Sequence, residues 1–185
     1  YSGFHIAASH SDSPTLKIKE SSEMNVENQY VKLNVEKYGG MLCAPWFDRP
    51  LSVAGRIIVK DGNRLTTKLI NVDRDLLMIP NLAIHMNREV NDGYKYNIQK
   101  DMLPLYRMSN SGKAFKEMIA EEAGVSVDQI KGMDLFLYNR MEGTVWGCDG
   151  EFISAPRLDD LQCAFTSTMA LLNSESDRCI PVVAV

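Results

Sequence analysis

The sequence predicts an α/β fold: a layer built on parallel strands, with an antiparallel, strand-rich module set between its two pieces. Three observations carry this. Phe4-His5-Ile6-Ala7-Ala8 reads as an apolar strand near the start of the chain. Near its end, apolar residues at 161, 164, 165, 169 and 172 mark a buried amphipathic helix over 159–173, followed by the apolar run Cys179–Val185. Between them, Val31, Leu33 and Val35 alternate with Lys32, Asn34 and Glu36, the period of a half-buried strand.

The elements follow in order. Leu16-Lys17-Ile18-Lys19 alternates apolar and charged residues and predicts a short strand. After Val31–Glu36, Gly39-Gly40 ends the pattern. Two strands over 51–60 and 65–72 flank Asp61-Gly62-Asn63, a hairpin signal. Residues 80–87 predict a short helix with Pro80 in its first turn. Residues 91–100 are polar and loop-like. Phe115, Ile119 and Ala123 at four-residue spacing predict a helix over 111–123, stopped by Gly124. Ser126-Val127-Asp128-Gln129 reads as a capped turn, and Met133–Tyr138 as a strand. The domain boundaries expected from this pattern are 1–30, 31–140 and 141–185, the outer two forming one α/β domain.

Composition narrows the function. The chain has 185 residues, 45% hydrophobic and 24% charged, with a net charge of −4. That balance fits a globular domain and disfavours a general nucleic-acid binder, which needs a basic patch against phosphates. No run approaches the roughly 20 apolar residues of a membrane span. The four cysteines, at 43, 148, 163 and 179, form no Cys-x-x-Cys pair. They read as reduced, mostly buried thiols of a cytoplasmic protein rather than a thiolate zinc site. Both ends read as cut through a sheet, so a fragment is expected.

Two short motifs carry chemistry. His10, in Ser9-His10-Ser11-Asp12-Ser13-Pro14, follows the first strand, where open α/β sheets place ligands. A metal-bound imidazole commonly gives its other N–H to a carboxylate, and Asp12 supplies one two residues on. The plainer alternative is a polar surface turn. The second motif, Ala155-Pro156-Arg157-Leu158-Asp159-Asp160, puts two carboxylates at the start of the last helix. Helix capping explains them simply. A carboxylate aimed at the sheet edge can also bridge two divalent ions.

Together with Tyr38-Gly39-Gly40, Trp46-Phe47-Asp48-Arg49, Ala54-Gly55-Arg56 and Ile79–His85, these motifs occur in the order of the aspartyl aminopeptidase family, and the chain resembles that family from about residue 3 to residue 185. The likeness is weakest over 93–125, which is short for the family, with a gap expected near 105–111. The resemblance implies a zinc exopeptidase-like mixed central sheet flanked by helices, carrying an inserted β-rich oligomerisation domain. It implies a cofactor of two zinc ions and hydrolysis of an N-terminal residue, Asp or Glu, from peptide substrates. His10 would ligate one zinc, Asp12 would orient His10, Asp159 would bridge the metals, and the Asp159–Asp160 peptide bond would be cis. His85 would reach a neighbouring subunit's active site in dimers and larger closed assemblies; against this stands the reading of a packed histidine. Arg157 would orient Asp159 or pair with Asp160, and Asp48 and Arg49 read as an ion pair. The general base and the remaining zinc ligands would lie beyond Val185, since Glu175 and Asp177 fall in a polar turn. A related two-zinc deacylase or carboxypeptidase, and a non-catalytic assembly module, are the alternatives.

Overall fold

The structure is a computed structural model describing residues 1–185. In chain order its elements are β1 (Phe4–Ala8), β2 (Thr15–Val26), β3 (Tyr30–Tyr38), β4 (Leu51–Asp61), β5 (Arg64–Asn71), α1 (Ile98–Asp101), β6 (Leu105–Met108), α2 (Phe115–Ala123), β7 (Ile130–Asn139), β8 (Thr144–Trp146), β9 (Phe152–Ser154), α3 (Leu158–Leu172) and β10 (Ile180–Ala184). They form two compact units, residues 14–141 and residues 1–13 with 142–185.

The larger unit is a six-stranded antiparallel sheet in the order β5-β4-β7-β2-β3-β6. Its core follows from period-two alternation. Leu16 and Ile18 of β2, Leu33 and Val35 of β3, Val53, Ile57 and Val59 of β4, and Leu135 and Leu137 of β7 share one buried cluster. Helix α2 covers it with Phe115, Met118, Ile119 and Ala120. Gly124 closes α2 in the left-handed region at φ 63°, and its N–H satisfies the carbonyls of Ala120 and Glu121. Asp61 pairs with Arg64 across the expected hairpin, and Ser126 and Gln129 form the expected capped turn.

The unit boundary lies at 13/14, not at 30/31. Residues 27–29 are the turn of the β2–β3 hairpin, so a cut there would split paired strands. β2 also runs to Val26, well past the short strand expected. A register shift between Ile18 and Glu23 accommodates its polar middle. Glu23 then accepts from the Arg107 guanidinium and from the Phe115 backbone N–H. Residues 105–111 form β6 and a following turn. The helix expected over 80–87 shrinks to one 3-10 turn at Ile84–Met86.

On the sheet, Lys17 Nζ lies 2.9 Å from Asp134 Oδ1 and over the Phe136 ring. The hydrogen bond to Asp134 raises the Lys17 pKa, and the same bond lowers that of Asp134. Asp134's contribution is present above the ordinary carboxyl range and lost as pH falls through its lowered native value. Lys17's is present below the ordinary amine range and lost only above its raised value. The pair therefore stabilises across neutral pH, and partial exposure limits it to less than about 1 kcal/mol. Asp134→Asn is expected to show that loss in urea unfolding at pH 7 and to converge with the unmodified chain in acid, where both states are protonated.

The smaller unit holds parallel strands β1 and β10 paired from Phe4↔Ile180 to Ala8↔Ala184, the β8–β9 hairpin, and α3. The sheet is flanked by a helix, as the α/β reading requires. One expectation fails: α3 is not buried, and β10 is at most half-buried. Leu158, Leu161, Phe165, Met169 and Leu172 are all exposed, because α3 has only a two-stranded sheet to pack on. No helix is long and apolar enough to cross a membrane.

Candidate metal centre

His10 sits just beyond the end of β1, and Asp159 and Asp160 open α3, so one parallel sheet and one helix carry both motifs. Two hydrogen bonds tie the segments together. The His10 backbone N–H donates to Asp160 Oδ2 at 3.2 Å, and Ser13 Oγ donates to the Asp159 carbonyl at 3.1 Å. The Asp159–Asp160 peptide is cis, as the motif implied. Neither aspartate has helical backbone angles, and Arg157 is left-handed at φ 64°.

The His10 ring is oriented from one side. Its Nδ1 lies 3.0 Å from the Asp12 carbonyl and 3.2 Å from Asp12 Oδ1. Both are acceptors only, so Nδ1 carries the proton and the Nε2 lone pair is free for a metal. The hydrogen bond to the Asp12 backbone raises the His10 pKa most, and the charges of Asp160 and Asp12 add to it. Asp12 thus faces His10 Nδ1 with its backbone carbonyl as well as its side chain.

The two adjacent aspartates divide the work. The Asp160 side chain is 16% exposed, hydrogen-bonded to the His10 backbone and to the Cys163 thiol. The Cys163 bond, first, and the His10 N–H hold its pKa low. Asp159 is 93% exposed and faces outward. Its Oδ1 stands 3.8 Å from His10 Nε2. Zinc takes imidazole nitrogen and carboxylate oxygen at about 2.0–2.2 Å, so the two atoms are within reach of one ion. Asp160 Oδ2 lies 3.7 Å from His10 Nε2, and Arg157 forms no ion pair with either aspartate. Ser13 and Cys163 were given no role by the sequence reading, and Asp160 only a pairing with Arg157. The only signal was the doubled aspartate, which does not say which one turns inward.

The donor set fits zinc as part of a centre. No group of three or more His, Cys, Asp or Glu side chains of the chain is placed to hold a metal ion together, whereas zinc sites use three or four ligands. His10 and Asp159 supply two.

His85 lies in the larger unit, in an exposed 3-10 turn with no buried residue. Leu82, Ile84 and Met86 around it are 60, 47 and 76% exposed, so the packed-histidine explanation does not hold within this chain. Asp48 fixes the base of this loop. Its Oδ1 accepts the Asn81 N–H at 2.9 Å, and its own N–H donates to Ile79. The ion pair expected between Asp48 and Arg49 is absent; Arg49 reaches Met141 Sδ instead.

Comparison with known proteins places the chain in a family. A model of the M18 family, described as aminopeptidase I zinc metalloprotease, matches residues 1–185. A probable M18 family aminopeptidase 2 of Clostridium acetobutylicum is 47% identical over 98% of the chain, and one of Pseudomonas aeruginosa is 38% identical over 98%. The chain spans 43% and 44% of their lengths, less than half of each. The structure of Chaetomium thermophilum mApe1 superposes with a TM-score of 0.81 at 33% identity, over 98% of this chain and 45% of that one. The S. cerevesiae mApe1 dodecamer gives 0.72 at 26%, over 98% and 42%. With a family match over its whole length, this chain belongs to the M18 family of zinc metallo-aminopeptidases.

Proposed function

We propose that the intact protein is a cytoplasmic, two-zinc aminopeptidase of the aspartyl type, releasing N-terminal Asp or Glu from peptides, and that this chain contributes His10 and Asp159 to its metal centre. The supporting observation is the arrangement of the two motifs: His10 Nε2 is free and 3.8 Å from an outward-facing Asp159 carboxylate. Zinc, when bound, supplies Lewis acidity and brings the pKa of a water towards about 7. The chain's own residues prepare for that. Asp12 keeps the proton on His10 Nδ1, which holds the tautomer and the ring plane. Asp160 and Ser13 fix the spacing of the two donor-bearing segments. Asp159 keeps its oxygens free of any competing cation of the chain.

His85 supports a second part of the proposal, that the enzyme works as a closed oligomer. It is exposed on a loop with a fixed base, and one solved relative is described as a dodecamer. There His85 would donate a hydrogen bond at a neighbouring subunit's reacting carbonyl. His85→Phe is expected to lower turnover by about 100-fold or more with zinc content unchanged, the magnitude of one lost oxyanion donor. Unchanged turnover would remove His85 from the mechanism. Initial rates on Asp-, Glu- and Leu-anilides test the substrate class. Faster cleavage of Leu than of Asp or Glu would refute the acidic preference, and cleavage of N-acyl amino acids instead would point to a deacylase.

A further inference from the structure

Helix α2 covers one face of the larger sheet, and β5 is bare on the other. Ile70 of β5 belongs to the core, so Leu65, Thr67 and Leu69 point the opposite way, and the two leucines are 66 and 85% exposed. β5 is also an edge strand. Arg64 and Lys68 lie along it, and charges on an edge discourage the addition of a further strand. A partner for the leucines therefore packs on the face. Four residues at roughly 3.3 Å each set them about 13 Å apart, with Thr67 between.

The smaller unit carries a surface that matches in shape and charge. In the β8–β9 hairpin Trp146 lies opposite Phe152, the rings 4.8 Å apart, and both side chains are about half exposed. A stacked ring pair is of a size to seat over Thr67, flanked by the leucines. The charges are opposite in sign. Residues 60–71 carry Lys60, Arg64 and Lys68 against Asp61, whereas residues 141–156 carry Glu142, Asp149 and Glu151 and no Lys or Arg. Lys60 lies opposite Leu65 in the register, on the same face. Lys60, Arg64, Glu142 and Asp149 take part in no ion pair of the chain. An apolar centre rimmed by complementary charge is the build of a specific interface.

We propose that the bare face of β5 docks on the β8–β9 hairpin of a second copy of this chain, Leu65 and Leu69 against Trp146 and Phe152, with Lys60 and Arg64 meeting Glu142 and Asp149. The proposal deepens the closed-oligomer reading above and rests on it. Each copy offers both surfaces, and both stay exposed within one chain. The contact is therefore head-to-tail, and its repetition closes an assembly when the rotation between copies allows.

The test uses the intact protein. Zero-length carbodiimide coupling, read by peptide mass spectrometry of the species at twice the chain mass, is expected to join Lys60 to Glu142 or Asp149. Leu69→Asp is expected to raise the concentration of half-dissociation, measured by mass photometry, by about 10-fold or more, the effect of losing a central interface anchor. Its fold should survive, since Leu69 is exposed, and circular dichroism checks this. Lys60→Glu with Arg64→Glu should weaken assembly as well, and adding Glu142→Lys with Asp149→Lys should restore it. An unmodified protein that is monomeric would overturn the closed-oligomer reading and this contact with it. An assembly unchanged in Leu69→Asp, charge reversals that do not restore one another, or coupling of Lys60 to another segment alone would overturn this contact and leave the oligomer standing.

Discussion

Replacing His10 by alanine in the intact protein is expected to weaken zinc binding by more than about 100-fold and to remove peptidase activity with it. Loss of an outer partner that merely orients a ligand typically costs 10–100-fold in metal affinity or activity, the range expected for Asp12→Ala. His10 carries the donor atom itself, with Nε2 facing Asp159 and Nδ1 already committed to Asp12. Its removal also leaves the backbone bond from residue 10 to Asp160 in place, so the fold of the loop should survive. Isothermal titration with zinc, alongside hydrolysis rates, separates the two variants: His10→Ala must be the more severe. Equal effects would mean that His10 is not a ligand.

The second large effect is on stability. Gly55→Ala is expected to destabilise the larger unit by about 2–5 kcal/mol, read as a shift in the urea midpoint. Gly55 lies in β4 at φ 150°, a conformation that side-chain-bearing residues rarely adopt. A Cβ there would strike the Asp134 carbonyl of the neighbouring strand and come within 3.0 Å of Leu135 Cα. Both obstacles are backbone of a central strand that pairs with β4 from Leu51 to Val59, so neither can yield as a side chain would. The residue opposite, Leu135, is in the buried core. A change of less than about 0.5 kcal/mol would show that the β4–β7 pairing is looser than described.

Much of this was legible in the sequence where one physical signal acted alone. Val31, Leu33 and Val35 face the core because alternation fixes register, and Gly124 ends α2 because the left-handed region favours glycine. The second half of β2 was hidden. Glu20-Ser21-Ser22-Glu23 has no apolar period, and Glu23 is held in place by Arg107, 84 residues away. The unit boundary was hidden for the same reason, since the β2–β3 hairpin joins residues on both sides of 30.

The metal centre was half legible. His10 and Asp12 are two residues apart, and local spacing announces their pairing. Asp159 and Asp160 are chemically identical, and only the backbone turn decides that one is 93% and the other 16% exposed at the side chain. Burial of α3 was misread because an apolar stripe says that a face seeks cover, not that a cover is present.

The central claim is that Asp159 and His10 are ligands of a two-zinc centre. Metal content of the intact, dialysed protein and of its Asp159→Ala variant, measured by inductively coupled plasma mass spectrometry, tests it most directly. About two zinc ions per chain are expected in the unmodified protein and fewer than about one in the variant, because a bridging carboxylate serves both ions. Full retention of both ions in Asp159→Ala would contradict it.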